Sequence, residues 1–79
     1  MNSISLKKAD LLISDYTQAT DVQEKDLFLS VAGNYIREIQ DPEMELIYYR
    51  VCEAPNSEEK ELYLEILLDL LDARKSANT

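Results

Sequence analysis

Apolar residues recur along this chain at helical spacing, and polar punctuation divides the pattern into four segments. Leu6, Ala9, Ile13 and Tyr16 form the first stripe, widened by Leu12 and Ala19. They predict a helix over residues 6–19 with Ser5 as its cap. Thr20-Asp21-Val22-Gln23 then matches a capping box, in which the threonine oxygen takes the Gln23 amide and the Gln23 side chain reaches back. The second helix is predicted over 21–39, with Leu27, Phe28, Val31, Tyr35 and Ile39 on its core side. Gly33 interrupts it. A glycine there marks either close approach by a neighbouring helix or a tolerated defect costing up to ~1 kcal/mol.

Gln40-Asp41-Pro42-Glu43 is the sharpest boundary in the chain. Asp41 can cap, Pro42 fits the first helical position, and proline biases the preceding residue away from helical geometry. The third helix is predicted over 42–53, with Met44, Ile47, Tyr48 and Val51 on one side. Glu53-Ala54-Pro55-Asn56 closes it, and Asn56 or Ser57 caps a last helix over 57–75. The small, polar tail from Ser76 to Thr79 is expected to fray. Links this short favour antiparallel neighbours. The pattern therefore predicts an all-α fold: one domain over 1–79, a small antiparallel bundle of four helices arranged as two helical hairpins. That bundle closes within one chain or is completed by dimerisation.

The last segment is the most unusual. At 100° per residue, Glu58, Glu61, Glu65, Asp69 and Asp72 share a stripe of about 80°, while the leucines, Tyr63 and Ile66 cover roughly 240°. A surface helix needs an apolar stripe little wider than ~100°. This helix is therefore expected to be central in the bundle or half of an association surface.

Composition sharpens that expectation. With 79 residues the chain buries only about 60% of its unfolded surface, so its stability is marginal. Cys52 is the single cysteine and there is no histidine, so neither a disulfide nor a Cys/His zinc site can compensate. A lone thiol without a leader-like segment fits a cytoplasmic setting, and no apolar run is long enough to span a membrane. Cys52 is expected to be buried or half-buried. Sixteen acids against eight bases give a net charge of −8, which disfavours direct nucleic-acid binding. Residues 1–40 carry six acids and four bases, and residues 41–79 carry ten and four. The excess in the second half points to a basic partner or to solubility.

Candidate chemistry is sparse. Without histidine the usual near-neutral proton carrier is missing. Carboxylate pairs such as Glu61 and Glu65 lie on a solvated edge, and no phosphate-binding or calcium-binding loop occurs. The expectation is a protein that is not an enzyme, with no cofactor, metal or small-molecule substrate, acting through a protein partner. Tyr16, Tyr35 and Tyr63 suit core positions, whereas one of the adjacent Tyr48 and Tyr49 must be exposed. The residues expected to meet a partner are Leu64, Leu67, Leu68, Leu71, Tyr49, Glu61, Glu65 and Asp69, the four leucines as a homodimer seam. An alternative is an acidic mimic of nucleic acid, because carboxylates three or four residues apart rise about 4.5–6 Å along a helix.

Leu11-Leu12-Ile13, Tyr16, Ala19-Thr20, Phe28, Asn34 and Ile36, with Asp21, Val22, Val31 and Arg37 as conservative matches, resemble the Sda family of sporulation histidine-kinase inhibitors over residues 11–36. The resemblance implies a helical hairpin that inhibits such a kinase. Glu24 stands where that family carries a leucine of its binding patch, and the second half of the chain has no counterpart there.

Overall fold

Side-chain caps set most of the helix boundaries. In the computed structural model, which describes residues 3–77, the elements are α1 (Ser3–Gln18), α2 (Val22–Ile39), α3 (Pro42–Glu53) and α4 (Ser57–Ala77). Asp41 Oδ1 accepts from the amides of Glu43 at 3.1 Å and Met44 at 3.3 Å, with Pro42 at the first helical position. Asn56 Oδ1 accepts from the Glu59 amide at 2.9 Å and starts α4. Between α2 and α3 the chain reverses through Gln40, whose φ of 60° lies in the left-handed region. An extended Asp41 follows.

Two expected caps are corrected. Asp21, rather than Thr20, caps α2, its Oδ1 accepting from the Gln23 amide at 2.8 Å. Ser5 caps nothing. It is buried within α1, where its hydroxyl donates to Glu38 Oε2 of α2 at 2.9 Å. At the other end, α4 continues through Ser76 and Ala77, and the rest of the expected fraying tail lies outside the described residues.

The helices form two antiparallel hairpins, α1/α2 and α3/α4, joined into one bundle by packing of α4 against α1. Contact between α2 and α3 is the slightest. The radius of gyration is 11.6 Å, close to the ~12 Å of a single chain of this length at ordinary packing density. Among the described residues there are no strands.

The core is built from Leu6, Ala9, Ile13 and Tyr16 of α1, Ala32, Ile36 and Ile39 of α2, Met44 and Val51 of α3, and Leu64, Leu67 and Leu71 of α4. The expected α1 stripe is therefore the buried one. On α2 the expected stripe is rotated: Leu27 is 62% exposed, and Phe28, Val31 and Tyr35 are half-buried. Nine residues separate Leu27 from fully buried Ile36, which puts them half a turn apart on the helix. Small Ala32 and Gly33 hold the inner face instead, because α3 comes close there. A methyl group on Gly33 would lie 2.7 Å from Cζ of Tyr48. The Tyr48 hydroxyl donates to the Leu29 carbonyl at 2.8 Å. Gly33 thus marks a close approach.

Candidate interaction surface

Three of the four leucines expected at a dimer seam belong to the core of a single chain. Leu64 is 5% exposed and Leu67 and Leu71 are fully buried, while Leu68 is half-buried. This is a correction. A seam built on those four would require α4 to leave α1 and α3. The wide apolar arc of α4 is only partly covered: like each of the other helices it contacts two neighbours, and Leu62 and Ile66 stay outside. Cys52 is likewise corrected: it is exposed.

The residues left outside are different ones. On the α3/α4 hairpin Leu46 is 53%, Tyr49 57%, Leu62 55% and Ile66 37% exposed. Their spacing is the signal: Leu46 and Tyr49 are three residues apart and Leu62 and Ile66 four, so each pair stacks one turn above the other. The hairpin register brings Tyr49 near the height of Ile66 and leaves Leu62 level with the end of α3. Arg74 Nε of α4 donates to Asp41 Oδ2 at 2.7 Å and Nη2 to Glu43 Oε1 at 2.9 Å, clamping the end of α4 to the start of α3. Counting inward from that clamp sets Tyr49 level with Ile66 and Leu46 level with half-buried Leu70. Sequence reasoning identified Tyr49 and missed Leu46, Leu62 and Ile66. The missing signal was which part of the α4 arc its neighbours cover.

Beside this apolar pair runs the acidic edge. Glu58, Glu61, Glu65, Asp69 and Asp72 are all exposed. Among the described residues none of the five lies within ion-pair distance of a cation. Lys75 feels the charge of Asp72, but its ammonium is held by Asp10 of α1 at 2.6 Å. The edge therefore repels itself, with like charges four residues apart at Glu61/Glu65 and Glu65/Asp69.

Asp41 anchors the far end of the hairpin. Burial pushes its carboxyl up, but the Arg74 hydrogen bond and charge and the Met44 and Glu43 amides outweigh it and hold the group below its ordinary range. Tyr48 is pushed up to about 12, chiefly by burial and then by the Cys52 thiol beside it.

At the opposite end an open cleft of about 380 Å³ is bounded by Tyr16 and Thr17 of α1, Lys25 of α2, and Ser57, Lys60 and Leu64 of α4. Lys25 is already engaged, donating to the Tyr16 carbonyl at 2.9 Å with its ammonium 4.5 Å from the ring centroid. Asp26 and Glu61 line the same cleft. On the α1/α2 hairpin Glu24 is exposed.

Among the described residues no cluster of three or more acidic or cysteine side chains is arranged to hold a metal ion, and no helix is long and apolar enough to cross a membrane. In comparisons with known proteins, no family model, curated sequence or solved structure gave a significant match.

Proposed function

We propose that this chain is a small non-enzymatic regulator or adaptor that binds another protein through the outer face of its α3/α4 hairpin. The observation that carries the reading is the pairing of Leu46 with Tyr49 and of Leu62 with Ile66 at one-turn spacing, exposed beside an unneutralised acidic edge. Large apolar side chains scattered singly over a surface mean little, whereas contiguous ones rimmed by charge mark interaction sites. An exposed, unpaired Cys52 suits a reducing, cytoplasmic setting.

A photo-crosslinking residue in place of Tyr49 tests the reading in the native cell, with the same residue at Leu11 of α1 as control. A discrete adduct from position 49, absent from position 11 and lost on Leu62→Ser/Ile66→Ser, is the expected result. No adduct at position 49 removes the proposal. A second reading, the nucleic-acid mimic, is favoured by the exposed row of carboxylates alone. It requires a complex that weakens steeply with salt and is indifferent to the Leu62 and Ile66 substitutions.

A further inference from the structure

We infer that the segment covering this face is a basic amphipathic helix of the partner, seated along α4 with its apolar side on Leu62 and Ile66 and its cations on Glu65 and Asp69. The inference rests on the α3/α4 face being the binding surface, and it names what binds there.

The surface has the form such a helix needs. Leu62, Ile66 and half-buried Leu70 make a row at i, i+4 and i+8, which spans about 12 Å of helix axis. Glu61, Glu65 and Asp69 make a second row with the same repeat, each acid one residue before its apolar neighbour. The two rows therefore run parallel, about 100° apart around α4. Ridges at i, i+4 spacing are the ones that interdigitate when helices pack. A partner helix that repeats an apolar row beside a Lys/Arg row satisfies both at once, the usual pattern of a helix laid in a groove. On α3, Glu45, Arg50 and Glu53 flank Leu46 and Tyr49 in sequence and sum to −1, so the larger charge preference comes from α4.

Charge also selects against the other occupants. A second copy of this chain would bring another −8 and set acid row against acid row. An acidic or neutral helix would leave Glu65 and Asp69 without partners, as they are in the free chain. The α1/α2 face also has an apolar row, Leu27 with half-buried Val31 and Tyr35, but Asp26, Ser30 and Asn34 stand one residue before them, so it lacks the continuous acidic row.

The test uses the full chain and three 18-residue synthetic peptides, followed by fluorescence anisotropy at 50, 150 and 300 mM salt. One peptide places Leu and Lys at amphipathic helical spacing, one scrambles the same composition, and one replaces every Lys by Glu. The amphipathic peptide is expected to bind at least tenfold more tightly than the scrambled one, and the Glu peptide not to bind. Leu62→Ser/Ile66→Ser should weaken binding tenfold or more with the helical circular dichroism unchanged. Glu65→Gln/Asp69→Asn should weaken it and flatten its salt dependence. Equal affinity for the amphipathic and scrambled peptides, or indifference to Leu62→Ser/Ile66→Ser, overturns the inference. Sedimentation showing a dimer that Ile66→Ser dissociates overturns it too, in favour of a second copy. If the adduct formed at position 49 maps to a partner segment that is not a basic helix, this inference fails while the protein-binding reading stands. The absence of any adduct there removes the reading itself.

Discussion

The two hairpins of this bundle expose similar amounts of apolar side chain but organise them differently. On α1/α2, the exposed Ile4 and Leu11 are seven residues apart and Val22 and Leu27 five, and the hairpin is tied across both ends by side chains. Ser5 donates to Glu38 at one end, Lys25 reaches Tyr16 at the other, and Lys8 lies 5.4 Å from the Tyr35 ring centroid. On α3/α4 the exposed residues stack in pairs, and side-chain ion pairs clamp only the end where Arg74 meets Asp41 and Glu43. Charge divides the same way, at −2 over residues 1–40 and −6 over 41–79. The lesson is that exposure alone does not define a surface. Spacing along a helix and the charges running beside it do.

Substitutions can break or sharpen this contrast. The largest effect is expected on the inner side of α4. Leu67→Ala should cost about 2–5 kcal/mol in urea unfolding, because it empties a fully buried site. Leu62→Ser, on the outer side of the same helix, should stay within about 0.5 kcal/mol. If the two cost the same, the assignment of inner and outer faces of α4 is wrong.

Next comes the clamp. Asp41→Ala removes the α3 cap and leaves Arg74 without its closest partner, so a loss of about 1–2 kcal/mol is expected. Because the folded-state pKa of Asp41 lies below its ordinary value of 3.8, its contribution is present above that value. It is lost as pH falls below it. The acid limb of a stability–pH curve should therefore be shallower in Asp41→Ala than in the parent.

The contact between α2 and α3 can be isolated with a mutant cycle. Gly33→Ala gains up to ~1 kcal/mol of helix propensity but displaces the Tyr48 ring from the Leu29 carbonyl, so net destabilisation is expected. In a Tyr48→Ala background the same change should stabilise. A sign that does not reverse would show that Tyr48 is not what requires the glycine. Tyr48→Phe also has a pH signature. With the folded-state pKa raised to about 12 from an ordinary 10, the hydroxyl's contribution is intact below pH 10 and lost as pH rises through about 12. Alkaline unfolding should move with that substitution.

The smallest effect carries an informative sign. Glu65→Gln/Asp69→Asn relieves like-charge repulsion along α4 and should stabilise the free chain by about 0.5–1 kcal/mol. That is a rise in Tm of a few degrees for a domain of this size. Gain in the free protein together with loss in a complex would separate a binding role from a structural one.

Much of the fold was legible because its signals are local. Asp41-Pro42 and Asn56 fix helix starts through hydrogen bonds to amides two or three residues away, and the α1 stripe needed only its own period. Where two local signals competed, the choice went astray. Thr20 and Asp21 both suit a cap, and Asp21 takes the Gln23 amide. Ser5 suits a cap as well, but α1 begins at Ser3, so Ser5 lies within the helix and its hydroxyl donates to Glu38 of α2. For the candidate surface, Tyr49, Glu61, Glu65 and Asp69 were found outside, whereas Leu64, Leu67 and Leu71 were placed outside and proved to be core. An arc of roughly 240° states that a helix has more than one neighbour, without stating which leucines those neighbours cover.

By itself, then, the sequence determined four helices, their order, the cap at Asp41, a choice of Asn56 or Ser57 for the last cap, and a lopsided negative charge, since periodicity and capping act over a few residues. The tertiary structure alone decided that Gly33 receives Tyr48 and that Leu27 faces water. It also decided that α4 turns Leu64, Leu67 and Leu71 inward and Leu62 and Ile66 outward. The rotation of a helix about its own axis depends on which neighbours pack against it, and residues distant in sequence supply those neighbours.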